Sequence, residues 1–88
     1  MCRSIKTLYN LDPPTSDDEV HSAAVQYVRK ISGFTKPSAA NEAAFARAVD
    51  AVTAASRALL ADLVTAAPPR DREQLAERAR RRAAERAA

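Results

Sequence analysis

A chain of 88 residues with one glycine, one cysteine and a formal net charge of +3 has room for a single small domain whose stability margin is thin. One glycine argues against tight hairpins and phosphate-cradling glycine loops, and one cysteine cannot close an intramolecular disulfide. The absence of any run of about 18 apolar residues excludes a membrane-spanning helix. Alanine dominates the 47% hydrophobic share, and the aromatics are two Tyr and two Phe. That composition predicts an all-α protein with few large core side chains.

Residues 1–14, MCRSIKTLYNLDPP, alternate apolar and polar positions at Ile5, Leu8, Tyr9 and Leu11 and stop at Pro13-Pro14. They read as an extended N-terminal arm ended by two rings that each fix φ. The opening has neither the apolar run nor the cleavage site of a secretory signal, so a cytoplasmic protein is expected.

A first helix is predicted over about 16–31. Thr15 or Ser16 can cap it, Asp17, Asp18 and Glu19 occupy its first turn, and Val20, Ala24, Tyr27, Val28 and Ile31 form one apolar face. Arg29 and Lys30 in the last turn and Gly33 just beyond are the expected stop. A second, longer helix is predicted over about 38–66, with Ser38 as cap and a stripe of Phe45, Val49, Val52, Leu59, Leu60 and Leu63 filled between by alanines. The simplest packing is an antiparallel helical hairpin closed by the arm. Two helices make a small core, and dimerisation through the long helix would bury the remaining apolar surface.

The character changes at Pro68-Pro69. Residues 1–67 hold seven Lys or Arg and seven Asp or Glu, whereas residues 68–88 hold seven and four, with Leu75 as the one large aliphatic side chain. The chain therefore divides into a helical domain over 1–67, arm included, and a charged, weakly packed helix or tail over 68–88. Within it Arg78, Arg80, Arg81, Arg82 and Arg86 could neutralise phosphates of a nucleic acid without reading bases. The plainer reading is a solvated segment in which Glu73, Glu77 and Glu85 partner the arginines at helical spacings.

Cys2 is the only thiol. If Met1 is removed, an α-amine and a thiol share one residue and can chelate a soft or borderline metal, and either group can act as a nucleophile. Arg3 and Lys6 are thiol-activating candidates, because positive neighbours favour the thiolate. His21, the only histidine, would join Cys2 as a metal ligand or base if the arm folds back to the start of the first helix. Two ligands do not complete a structural metal site. The alternative is that Cys2 is packing and His21 an exposed side chain. No Cys-x-x-Cys, His-Glu-x-x-His or glycine-rich phosphate loop is present. No catalytic residue is assigned, and no cofactor is required.

Taken together, MCRSIKTLYNLDPP, AAVQYVRKISGFTKPSAANEAAFARAV and APPRDRE resemble a bacterial family of small proteins, domain of unknown function 2277. The Cys-Arg opening, the Pro-Pro turn, the VRKISG helix end and the KPS…N…AF start recur there in that order and spacing, so the resemblance covers nearly the whole chain. It implies no activity, substrate, cofactor or partner, but makes Cys2 and Arg3 a family feature. The final ARRRAAERAA is less distinctive.

The leading expectation is a non-enzymatic helical interaction protein that self-associates or meets another helical protein. The alternatives are a thiol or metal protein built on Cys2 and a nucleic-acid accessory protein using the arginine tail.

Overall fold

The computed structural model describes residues 5–87, so Cys2 and Arg3 lie outside the described residues. The chain is mostly helical, as its composition predicts. In order it carries a two-residue strand β1 (Leu11–Asp12), helix α1 (Asp17–Ser32), helix α2 (Glu42–Asp62), a second short strand β2 (Arg70–Asp71) and helix α3 (Arg72–Ala87).

α1 begins and ends within a residue of its sequence-based bounds because its caps are local. Ser16 stands at the N-cap in an extended conformation. The Glu19 N–H donates to Ser16 Oγ at 3.2 Å while the Ser16 N–H donates to Glu19 Oε1 at 2.9 Å, a reciprocal capping box. At the other end Gly33 adopts φ 78°, in the left-handed region that side chains disfavour, and its N–H donates to the Arg29 carbonyl at 2.9 Å.

α2 is shorter than the predicted 38–66. Ser38 does not cap it with a side-chain bond. Its carbonyl and Oγ instead accept from the N–H and Nδ2 of Asn41, each at 2.9 Å, holding a turn of 3-10 helix over Ala39–Asn41 that leads into α2. The helix ends at Asp62, and Leu63 turns extended with ψ 141°. Val64 and Thr65 are β-branched and weaker helix formers. Thr65 Oγ1 accepts from the Ala67 N–H at 3.1 Å, a local turn that competes with helix, and Pro68-Pro69 push the backbone before them out of the α region.

α1 and α2 form the expected antiparallel hairpin. Ala24 and Val28 of α1 pack with Val49, flanked by Phe45, Ala48 and Val52 from the first half of α2. Near the other end Arg57 of α2 reaches back to Asp17 at the start of α1, 3.3 Å away. The buried core of the described residues is Val20, Ala24, Val28 and Val49.

That core is narrower than the predicted stripes, which is a correction. Tyr27 and Ile31, assigned to the buried face of α1, are 45% and 65% exposed, and Leu59 of α2 and Leu63 just beyond it, both in the predicted stripe, are 57% and 44% exposed. The first half of α2 covers Ala24 and Val28, and side chains flanking that line reach beyond its contact. Phe45 is half-buried rather than central.

The arm runs beside the hairpin and is tied to the segment before α3. β1 pairs in parallel with β2, Leu11 opposite Arg70 and Asp12 opposite Asp71. The Arg70 N–H donates to the Asn10 carbonyl at 2.8 Å. Asn10 sits at φ 56°, a left-handed conformation that asparagine tolerates better than most residues. Its Nδ2 lies 3.3 and 3.2 Å from the carbonyls of Ala67 and Pro68.

α3 forms although it buries almost nothing. Asp71 Oδ1 accepts from the N–H groups of Glu73 and Gln74 at 2.8 and 3.2 Å, capping the helix. Beyond that the segment is rich in Ala, Arg and Glu, the best helix formers. Only Arg72 and Leu75 of this helix are half-buried, and the rest of its described side chains are exposed. Among the described residues no helix is long and apolar enough to cross a membrane.

Candidate functional site

Three parts of the chain converge at the start of α1: the arm, the capping box and the root of α3. Glu19 closes the capping box with Ser16 and also receives Arg72. Arg72 Nη1 donates to Glu19 Oε2 at 2.8 Å and Nη2 to Oε1 at 2.9 Å. Arg72 Nε donates to the Pro13 carbonyl at 2.6 Å. A planar guanidinium suits this three-point grip, since two nitrogens match a carboxylate and the third remains for the arm.

The Arg72 hydrogen bonds, with the Ser16 N–H next in weight, lower the Glu19 carboxyl from its ordinary value of 4.5 to about 2. Glu19 in turn raises the Arg72 guanidinium further above its ordinary value. Both side chains are about one-third exposed, at 37% and 29%. The pair therefore acts as a clasp, fastening α3 to the helical body.

Beside the clasp the arm and α1 enclose an open groove of about 330 Å3, lined by Lys6, Leu8, Asp18, Glu19, Ser22 and Ala23 among others. The groove brings Lys6 onto the same surface as the first-turn carboxylates of α1. His21 is exposed on α1 and does not line this groove. The expected association of His21 with Cys2 falls on a residue outside the described ones, as does the expected role of Arg3 beside the thiol.

A second groove, of about 200 Å3, lies between the arm residues Leu8 to Leu11 and Leu60 of α2. Its wall includes Thr15, whose Oγ1 is buried without a hydrogen-bond partner among the described residues. Ser16, and not Thr15, is the cap.

The arginines named from sequence all stand on α3. Arg81 Nη2 pairs with Glu77 Oε1 at 2.8 Å one turn earlier, the intrahelical pairing that the spacing predicts. Arg86 Nε donates to the Arg82 carbonyl at 3.4 Å. Among the described residues Arg78, Arg80, Arg82 and Arg86 form no ion pair.

A family model described as an uncharacterized conserved protein, DUF2277, matches residues 1–78. The chain belongs to this family. No curated protein and no solved structure matches it. The DUF2277 match takes in the arm, the hairpin and both sides of the Glu19–Arg72 clasp, while Arg80, Arg81, Arg82 and Arg86 lie beyond it.

Sequence reasoning missed Arg72, Asn10 and Asp71. Asp71 had a readable signal, an Asp directly before a helical run and two residues after Pro-Pro. Glu19 was recognised as a first-turn carboxylate, but nothing in its surroundings points to a partner 53 residues away.

Proposed function

We propose that this DUF2277 protein is a non-enzymatic helical interaction protein that self-associates through the outward face of α2. The observation that carries this reading is the mismatch between the long second helix and its one-sided burial. Val49 is the only buried residue of α2, and the opposite face, Arg47, Ala51, Ala54, Ala58 and Ala61, is exposed throughout. Those positions follow one another at spacings of four, three, four and three, the seam spacing of packed helices.

Alanines along such a seam let a second helix approach closely. In an antiparallel pair about a two-fold axis between Ala54 and Ala55, Ala51 falls opposite Ala58 and Arg47 opposite Asp62. The two ends of the seam would then carry matched opposite charges, in the isologous arrangement commonest among homodimers. Leu59, exposed on α2, would add apolar rim beside this face.

Sedimentation equilibrium of the full chain across its workable concentration range tests the proposal. A dimer mass that dissociates on dilution supports it. A monomer mass over the whole range overturns it.

A further inference from the structure

α3 is built unlike the rest of the molecule. It is anchored at its root by the Arg72 clasp and the Asp71 cap, and from Ala76 onward its described residues have no buried or half-buried position. From Arg78 to Ala87 it carries five arginines against a single carboxylate, Glu85.

Arg78, Arg82 and Arg86 recur every four residues, so they lie along one side of the helix, about 6 Å apart along its axis. None of the three has an ion-pair partner among the described residues. Although its Nε is turned to the Arg82 carbonyl, the two terminal nitrogens of Arg86 meet no partner among the described residues. The result is a row of cations about 12 Å long on a helix whose root is already fastened, so little ordering remains to be done on binding.

We propose that α3 binds the phosphodiester backbone of duplex DNA through the row Arg78, Arg82 and Arg86, and reads no sequence. Duplex DNA presents one negative charge per about 1.7 Å of its axis, so a row of this length runs beside several phosphates at once.

The other polyanionic surfaces fit less well. A helix that lies on an anionic membrane needs an apolar face opposite its basic one, and the only large aliphatic side chain of α3 is Leu75, half-buried at the root. Single-stranded nucleic acid is held by stacking on aromatic side chains, and α3 has none. A protein partner would be expected to meet buried aromatic or large apolar anchors, which α3 also lacks. A backbone recognised by charge alone asks for none of these. The inference stands apart from self-association, because α3 and the outward face of α2 share no residue.

The test is fluorescence anisotropy of a 20-base-pair DNA duplex with the full chain from 50 to 200 mM salt. With roughly three phosphates neutralised, log affinity should fall against log salt with a slope of about −2.7, a loss of roughly 40-fold over that range. The variant Arg78→Ala/Arg82→Ala/Arg86→Ala keeps strong helix formers at all three positions. It should bind at least about tenfold more weakly at 50 mM salt, with most of that slope gone, as the three phosphate contacts are lost. A body variant, Lys30→Ala/Lys36→Ala, which touches neither α3 nor the outward face of α2, should bind like the parent. The proposal is overturned by the absence of duplex binding at 50 mM salt, by a triple variant that binds like the parent, or by phosphatidylserine vesicles that bind more tightly than the duplex with the same arginine dependence.

Discussion

Arg72 and Glu19, 53 residues apart in the chain, meet through two parallel hydrogen bonds of 2.8 and 2.9 Å. Through them the root of the last helix is joined to the cap of the first. The same carboxylate serves both, since Glu19 Oε1 accepts from the Ser16 N–H and from Arg72 Nη2.

This double use gives the fold a defined acid sensitivity. Glu19 is held at about 2 in the folded chain against an ordinary value of 4.5. A depressed carboxyl contributes stability that is fully present above its unfolded value and is lost as pH falls through its folded one. The contribution is therefore constant at neutral pH, declines from about pH 4.5 and is gone below about 2. Thermal melts from pH 7 to 2.5 should show the parent losing more of its midpoint than Glu19→Gln, which has no such carboxyl to protonate. Two curves that fall in parallel would mean that the clasp contributes nothing to stability.

The core prediction is an order of sensitivity. Val49, 6% exposed within the cluster of Ala24 and Val28, should cost roughly 2 kcal/mol as Val49→Ala. Phe45→Ala should cost about 2 kcal/mol, below the 3 to 5 kcal/mol typical of a fully buried ring, because Phe45 is only half-buried. Ile31→Ala, at 65% exposure, should fall within about 0.5 kcal/mol of the parent. Urea unfolding of the three variants checks the order, and Ile31 ranking first would place the core on the wrong side of α1.

Charge reversal tests the register of the proposed α2 pair. Arg47→Glu would set Glu against Asp62 of the other copy, and Asp62→Arg would set Arg against Arg47, so each should raise the dimer dissociation constant several-fold. The double variant restores opposite charges and should return toward the parent, the coupling that a double-mutant cycle reads. If sedimentation shows the double variant as weak as the sum of the single ones, the antiparallel register is wrong even where the dimer exists.

α3 should melt by itself when its cap is removed. Asp71→Ala takes away the acceptor of two N–H groups, a loss of about 1 kcal/mol confined to a helix with little other support. Far-UV circular dichroism should lose helical signal while the unfolding midpoint of the hairpin stays in place. Arg81→Ala removes only an exposed pair with Glu77, and its effect on stability should stay below about 0.5 kcal/mol.

Where sequence and structure agree, the reason is short range. α1 was legible to within a residue because its capping box, first-turn acids, last-turn cations and Gly33 all act within four residues of the helix they bound. The start of α2 was less legible, since Ser38 uses its oxygens on Asn41 and builds a 3-10 turn first. Tyr27 and Ile31 were assigned inward because apolar periodicity reports which side of a helix is apolar. It does not report how wide a strip the partner helix will cover.

By itself the sequence determined that the chain is helical, that α1 starts at Thr15 or Ser16, that α2 pairs with α1 through a stripe that includes Val49, and that the cationic excess sits in the last segment. Only the tertiary structure decided that Asn10, Asp12 and Pro13 meet the segment from Ala67 to Arg72, and that Glu19 and Arg72 hold that meeting together. Capping and helix propensity depend on neighbours a few residues away and are written locally. A contact across more than 50 residues depends on the path of the whole chain, and no single stretch of sequence carries that path.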